Sequence, residues 1–352
     1  MTQIPRADTP RGSFLTEVKD AVTPRATLLV IGVVALQLLF IASYVGALHD
    51  PEPKDVPFGV VAPTGAAEQA VARRLERLPG SPLDPRAVTD ETTARKQIMD
   101  RDIDGALLVH PSGTTDTLLV ASGGGTVLAT TLETLTTTLE KSEGRALRTV
   151  DVAPASGRDF DGLSSFYLVV GWCVGGYLCA SILAISAGAR PAGPRRAAIR
   201  LIVMALVSIV GGLGGAVIIG PVLGALPGSV AGLWGLGALI TFAVGAATLA
   251  LQGLFGVVGI GLAILLVVIA GNPSAGGAFP LPMLPPFWKA IGPALPPGAG
   301  TWAARSIAYF RTNALTGALL VLSAWAVAGV VVTLLAAALR GKRREARLPT
   351  QA

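Results

Sequence analysis

Charged residues are missing from a long part of this 352-residue chain. From Leu201 to Trp288 there is no Asp, Glu, Lys, Arg or His. A soluble domain does not leave so long a stretch uncharged, whereas a bilayer favours it, because a charge at the membrane centre costs roughly 2.5–3.5 kcal/mol on insertion scales. This absence excludes an ordinary soluble globular protein, and we predict an integral membrane protein.

Residue types that carry catalysis and metal binding are also scarce. The only histidines are His49 and His110, and neither has a metal-ligand spacing around it. The only cysteines, Cys173 and Cys179, lie six residues apart in an apolar run, so a helix would point them to different faces. No G-x-x-x-x-G-K-[ST] phosphate loop is present. We therefore expect no enzyme activity and no metal or cofactor in this chain.

Uncharged apolar runs of about 20 residues, the length that crosses a bilayer, occur six times. The first run exceeds the apolar core of a cleaved signal peptide, so we interpret it as an uncleaved anchor rather than a signal peptide. Glycines four residues apart, such as Gly171 with Gly175, indicate close helix packing. The predicted transmembrane helices are Ala26–Leu48, Ser164–Gly188, Leu201–Gly224, Val230–Leu251, Gly253–Gly271 and Ala314–Leu339.

The distribution of Lys and Arg predicts the orientation. The segments 1–25, 188–200 and 340–352 together hold 13 basic and 4 acidic residues, whereas residues 49–163 hold 12 basic and 18 acidic residues. Six spans place the three basic segments on one side, so we predict a plasma-membrane protein with both termini in the cytoplasm. We attribute the net charge of +6 to this orientation and to contact with anionic lipids, and we expect no nucleic-acid partner.

Residues 49–163, between the first two spans, are long enough for one small extracytoplasmic domain. Apolar strand patterns alternate with helix patterns there, which predicts an α/β or α+β fold. The carboxylates Asp100, Asp102 and Asp104 are interpreted as a solvated helix end. The predicted strands are Phe58–Ala62, Ile103–His110, Asp116–Ser122 and Leu147–Val152, and the predicted helices are Ala66–Leu78, Asp90–Arg101 and Thr126–Glu143.

The N-terminal tail contains a short amphipathic pattern before the first span. The apolar residues Phe14, Leu15, Val18 and Val22 fall on one helical face, opposite charged residues. Such a helix lies along a membrane surface. Two interpretations stay open: an anchor on the lipid surface, or a docking surface for a cytoplasmic partner.

The segment 272–310, before the last span, is rich in both prolines and apolar residues. Eight prolines between Pro273 and Pro297 forbid one continuous helix. We predict short broken helices, re-entrant in the outer leaflet, with a passive interfacial loop as the alternative. Asn272 and Ser274 are expected to supply hydrogen bonds at the bend, and Arg305 to lie near the headgroups. The aromatic residues placed at the interface are Trp288, Trp302 and Tyr309, and Phe287 is one of the apolar residues of the predicted re-entrant segment.

Three passages together resemble a known family. They are PFGVVAP with TARKQIMDRDIDGALLVHPSG in the domain, RPAGPRRAAIR after the second span, and GNPSAGG…LPPFW…IGPALPPGAGTWAARSIAYF before the last. With the layout of one span, an outer domain and five spans, they resemble the membrane subunit of type-2 ATP-binding-cassette exporters, in the branch related to the phage-infection protein. This likeness covers roughly residues 14–340.

The resemblance implies a permease that moves a hydrophobic or lipid-like substrate. ATP would be bound by a separate cytoplasmic ATPase, and a homodimer or a heterodimer with a second permease would complete the transporter. The helix over 14–22 and the arginines Arg195 and Arg196 lie where that family contacts its ATPase. The alternative is a non-transporting scaffold or accessory subunit of a secretion system.

Overall fold

A computed structural model describes residues 23–345, and the chain divides into two compact units, Met1–Ala42 and Ser43–Ala352. The described part of the first unit is helical. The helices are α1 Pro24–Leu48, α2 Gly65–Glu76, α3 Glu91–Met99, α4 Thr126–Ser142, α5 Ser164–Ala187, α6 Pro194–Val217, α7 Val230–Phe255, α8 Val258–Ile264, α9 Pro286–Ile291, α10 Pro296–Tyr309 and α11 Thr316–Glu345. The strands are β1 Val56–Val61, β2 Leu83–Ala87, β3 Gly105–Leu108, β4 Thr115–Val120 and β5 Ala146–Asp151.

Five of these helices are long and apolar enough to cross a membrane: α1, α5, α6, α7 and α11. A π-helical turn extends α6 to Val222. The helical, membrane-embedded architecture predicted from the uncharged runs is thus present. The largest boundary difference among these helices is at the start of α6, which begins at Pro194 instead of Leu201. Proline suits the first position of a helix, where its missing N–H has no intrahelical partner.

The predicted fifth span, Gly253–Gly271, is not one regular helix. Helix α7 continues to Phe255, and Gly256 then turns the chain at φ +67°, a conformation that favours glycine. The apolar helix that follows, α8 with a π-helical end, runs only from Val258 to Gly271. At 1.5 Å per residue it is about 21 Å long, short of the roughly 30 Å hydrocarbon core.

Residues 56–151, called here the α/β region, form a mixed five-stranded sheet in the order β2-β1-β3-β4-β5. Strand β1 pairs in parallel with β2 and β3, β3 and β4 are antiparallel, and β5 is parallel to β4. The predicted strands and helices are therefore confirmed. Sequence reasoning missed β2, which contains Pro85 and lies at the sheet edge, where a strand tolerates proline.

Helices cover both faces of this sheet. On one face Phe58, Leu107 and Leu118 pack with Leu75 of α2 and Leu132 of α4. On the other face Ala106 and Leu119 pack with Ala94 and Ile98 of α3. Neighbouring residues of one strand alternate between the two cores, as the pleat requires. The α/β region is thus a three-layer structure that positions the turn between α3 and β3.

The apolar helices α5, α6 and α7 approach closely. At Gly212 of α6, an added Cβ would lie 2.6 Å from the backbone nitrogen of Ala238, and at Gly237 of α7 it would lie 2.4 Å from the ring of Trp172. Small residues let helix backbones meet in this way. Gly215, four residues after Gly211, is also closely packed, with an added Cβ 2.4 Å from Trp172 Nε1. By contrast, the paired Gly171 and Gly175 have nothing within 4 Å of an added Cβ, so spacing by four residues identified only some of the closely packed glycines.

The segment after Gly271 is broken, as its prolines predict. It contains the single turns Leu281–Met283 and Gly292–Ala294, the short helix α9 and then helix α10. We call residues 272–310 the broken segment. It is more deeply packed than an interfacial loop, because most of α10 is buried and Met283 joins the apolar core of the α/β region.

Candidate functional site

The predicted partner-docking residues fall into two groups. Phe14, Leu15, Val18 and Val22 lie outside the described residues. Arg195 and Arg196 are exposed in the first turn of α6, and they make no hydrogen bond or ion pair with the described part of the chain. The six-residue connection before α6 contains no helix, so these arginines belong to α6 itself.

Three other arginines surround this end of the molecule and cap helices. Arg200 donates from Nη2 to the carbonyl oxygens of Ala187 (2.9 Å) and Gly188 (2.8 Å), at the end of α5. Arg190 donates to the Leu254 carbonyl at 3.2 Å, and Arg340 to that of Gly253, at the end of α7. Cations suit helix C-termini, where carbonyl groups lack partners. Here Arg195 and Arg196 differ, since their charges are left free for other contacts.

Two polar residues of the predicted set, Ser274 and Asn272, lie buried at the start of the broken segment. Ser274 is fully buried and donates from Oγ to the carbonyl oxygens of Ala270 (2.7 Å) and Gly271 (3.2 Å). Asn272 is 8% exposed and shares a side-chain hydrogen bond with Tyr44 of α1. The Ser274 hydroxyl thus supplies a donor to carbonyl oxygens at the end of the helical run before Pro273.

The broken segment and the α/β region enclose a cavity of about 220 Å³. Of the predicted residues it contains Trp302 and Arg305, whereas Phe287 and Trp288 lie away from it and contact each other edge-to-face at 5.1 Å. Its wall is mainly apolar. The charged residues that line it are Arg101, Arg305, Lys289, Asp104 and Asp55, and the apolar lining includes Trp302, Leu281, Pro280, Pro282 and Ala275.

Arg305 does not lie among headgroups, as the sequence suggested, but is buried at 3% exposure. Its guanidinium donates to the carbonyl oxygens of Gly276 (2.7 Å), Gly277 (2.9 Å) and Gly162 (3.2 Å). Its Nε has no hydrogen-bond partner. Arg305 belongs to the buried helix α10 and lies next to the turn that contains Gly276 and Gly277. Its hydrogen-bond partners are therefore neutral carbonyl oxygens and not the lipid phosphate that we expected.

Arg101 is a site residue that sequence reasoning did not identify. It occupies the turn between α3 and β3 with φ +61°, and its Nη1 donates to Trp302 O and Ser306 Oγ, both at 2.9 Å. Its guanidinium also stacks on the Trp302 ring. Burial lowers the pKa of Arg101 to about 9, and repulsion from Arg305 adds to the shift. The only signal in the sequence was an arginine set among the aspartates of residues 100–104.

Asp104 corrects an interpretation of the sequence, because it is not part of a solvated helix end. Its carboxylate lines the cavity, and burial raises its pKa to about 6 against the attraction of Arg101, Lys289 and Arg86. It forms no ion pair within 4 Å among the described residues. Asp104 is therefore a titratable group inside the site.

A buried hydrogen-bonded contact joins α10, near the cavity, to the start of α5. The Asp159 carboxylate, 3% exposed, accepts hydrogen bonds from the Tyr309 hydroxyl and from the Ser164 backbone N–H (2.7 Å) at the start of α5. Tyr309 is thus packed inside and not at a membrane interface. Asn313 in turn donates to Asp100 Oδ1 at 2.9 Å. The first contact therefore joins α10 to the start of α5, and the second joins the α/β region to the turn before α11.

The lining of this cavity suits the binding of a small molecule. The described residues contain no group of three His, Cys, Asp or Glu side chains that could hold a metal ion. The cavity's charged groups are cations and carboxylates set in an apolar wall, an arrangement that recognises charge and apolar surface together. No family model, curated protein or solved structure matches this chain.

Proposed function

We propose that this chain is the permease subunit of an ATP-binding-cassette exporter, which moves a hydrophobic or lipid-like substrate with energy from a separate cytoplasmic ATPase. The observation that carries the proposal is the cavity of 220 Å³ between the α/β region and the broken segment. It offers a mainly apolar wall beside a bundle whose helices contain no charge from Leu201 to Phe287. Such an interior suits a substrate that is itself apolar.

The distribution of charge supports an orientation for this permease. Helix α5 starts beside Asp159, and α11 follows Asn313, which bonds to Asp100 of the α/β region. Both helices end where Arg190, Arg200 and Arg340 cap carbonyl groups. By the positive-inside rule the basic end is cytoplasmic. The proposal therefore places the α/β region outside the plasma membrane and both termini inside. Helix α8 would serve as a shortened fifth span, in addition to the five long helices.

The exposed arginines of α6 support an ATPase contact. Arg195 and Arg196 are unpaired at the basic end, whereas their neighbours Arg190 and Arg200 cap helices. In the proposed assembly, they and the apolar face over 14–22 dock on the ATPase. Two such permeases, identical or related, would surround the substrate route, with membrane lipids around them.

The experiment combines partner binding with transport. The tagged chain is purified from native membranes with any ATPase it binds, and the complex is reconstituted in vesicles with a fluorescent long-chain lipid. We expect ATP-dependent movement of the lipid and its loss in an Arg195→Glu/Arg196→Glu double variant. The Arg195→Lys/Arg196→Lys variant, which keeps both charges, is the matched control and should retain movement.

A scaffold or accessory subunit is the second candidate. It is supported by the hydrogen bonds of Arg101 to Trp302 O and Ser306 Oγ, which tie the α/β region to α10 and would keep it in place as a display surface. If no ATPase co-purifies and vesicles show no ATP-dependent movement, while deletion of the chain still removes a secretion phenotype, the scaffold replaces the exporter.

A further inference from the structure

The cations of the cavity outnumber its carboxylates. Arg101, Arg305 and Lys289 all line it, and each donates only to neutral oxygens in the described structure: Lys289 Nζ to the Lys54 carbonyl at 3.2 Å, and the arginines to carbonyl and hydroxyl groups. Among the described residues none of the three forms an ion pair within 4 Å, although Asp104 attracts Arg101 and Lys289 from a greater distance. Burying unpaired charges is costly, so a site of this kind gains by taking up an anion.

One of these groups has an unused donor. The Nε of Arg305 is buried without a hydrogen-bond partner, on a side chain that is 97% buried and lines the cavity. Arg101 and Arg305 also repel each other across the site. An anionic group between them would offset the repulsion and offer acceptors to donors that already lie in place.

The apolar part of the cavity wall favours a ligand that has an apolar portion as well as an anionic group. Trp302, Leu281, Pro280 and Pro282 present apolar surface next to the cations. A volume of 220 Å³ is below the roughly 300–1,000 Å³ that encloses a drug-sized ligand. The cavity can hold a headgroup and the first carbons of a chain, and the rest of the chain would lie outside it.

We propose that this cavity binds the headgroup of an anionic amphiphile, a phosphate or carboxylate carried on an alkyl chain, with Arg101, Arg305 and Lys289 as the anion ligands. This deepens the proposed function and rests on it in one respect only, which is that the bound molecule is the exported substrate. Asp55 and Asp104 oppose the anion, but three cations outnumber them and Asp55 is exposed.

The test measures binding by the full chain alone, without an ATPase. The protein is placed in phosphatidylcholine nanodiscs, and radiolabelled dodecyl phosphate bound in equilibrium dialysis is corrected for uptake by empty nanodiscs. We expect saturable binding that weakens about tenfold or more in Arg101→Gln. Lys289→Gln, at a partly exposed position where folding is not at risk, should weaken it by a smaller factor. Arg195→Gln, at the opposite end, is the control and should bind as the native chain does.

Three comparison ligands show whether the affinity for dodecyl phosphate comes from its charge, its alkyl chain or both. Inorganic phosphate should bind far more weakly than dodecyl phosphate, and dodecanol should not compete with it. Tighter binding of dodecyltrimethylammonium would overturn the proposal in favour of a cationic ligand, and equal binding of inorganic phosphate would overturn the amphiphile. Unchanged dodecyl phosphate binding in both Arg101→Gln and Lys289→Gln would also overturn it. Specific binding of dodecyl phosphate without ATP-dependent movement in vesicles would contradict the proposed export function and leave the proposed binding site intact.

Discussion

The guanidinium carbon of Arg101 lies 3.3 Å from the centroid of the Trp302 indole ring. Arg101 belongs to the turn between α3 and β3, and Trp302 to α10, so this stacked pair joins the α/β region to the broken segment. The centroid of the Phe310 ring lies 4.7 Å from the same guanidinium carbon of Arg101. A cation over an aromatic face in a desolvated place contributes about 2 kcal/mol, and here it closes one wall of the cavity.

The first prediction concerns Trp302. Its ring carries the stack with Arg101, and its indole N–H donates to the Ala314 carbonyl at 2.9 Å. Trp302→Ala should lower the free energy of unfolding by about 3 kcal/mol, because ring burial, stacking and hydrogen bond are all lost. Trp302→Phe should cost about 1 kcal/mol, since a ring remains over Arg101. Thermal unfolding of the detergent-solubilised chain measures both, and equal losses would contradict the stacking role.

The second prediction concerns the pH dependence caused by Asp104, whose pKa is raised to about 6. A raised pKa means that the folded state prefers the protonated carboxyl. Asp104 therefore destabilises the fold progressively as pH rises from about 4 through 6. Asp104→Asn should be more stable than the native chain at pH 7.5 by roughly 1–3 kcal/mol, and equal to it at pH 4. A difference that is independent of pH would refute this assignment.

The third prediction concerns a buried ion pair in the α/β region. Asp116, 1% exposed, accepts hydrogen bonds from Nε and Nη2 of Arg145, both at 2.6 Å, and from the His110 N–H at 2.7 Å. Burial raises the pKa of Asp116, but the bonds from Arg145 and His110 outweigh it and hold the pKa below its usual value. Its stabilisation is therefore present at neutral pH and lost as pH falls through the lowered pKa.

Arg145→Met should accordingly destabilise the fold at pH 7 by more than a surface substitution does, because it leaves the buried Asp116 carboxylate without its partner. The matched control is Arg86→Met, which breaks the solvent-exposed pair with Asp84 and should cost less than about 1 kcal/mol. Urea unfolding monitored by circular dichroism compares the two variants. Losses of equal size would show that the buried pair has no special role.

The fourth prediction tests orientation. With Cys173 and Cys179 replaced by alanine, single cysteines are placed at Ser81, which is exposed in the α/β region, and at Arg195 in α6. A membrane-impermeant maleimide applied to intact cells should label the first and spare the second, and both should react after lysis. The reverse labelling in intact cells would invert the proposed topology.

Much of the fold followed from the sequence because its causes are local. Hydropathy over about 20 residues predicts a membrane helix wherever it occurs, and α5 and α11 lie where the uncharged runs placed them. The alternation of strand and helix patterns predicted the α/β region for the same reason. Prolines between Pro273 and Pro297 act on their own backbone, so the broken segment was also predictable.

Sequence alone therefore determined the membrane class, the α/β region, the breaks after Asn272 and the hydrogen-bonding role of Ser274. Only the tertiary structure decided that Gly256 ends α7 before a shortened helix, that Arg305 is buried under carbonyl groups, and that Arg101 and Asp104 share a cavity with it. The reason is physical: the environment of a charge depends on which distant segment folds over it. Burial and neighbouring charges, not residue type alone, gave Arg101 and Asp104 their shifted pKa values beside this cavity.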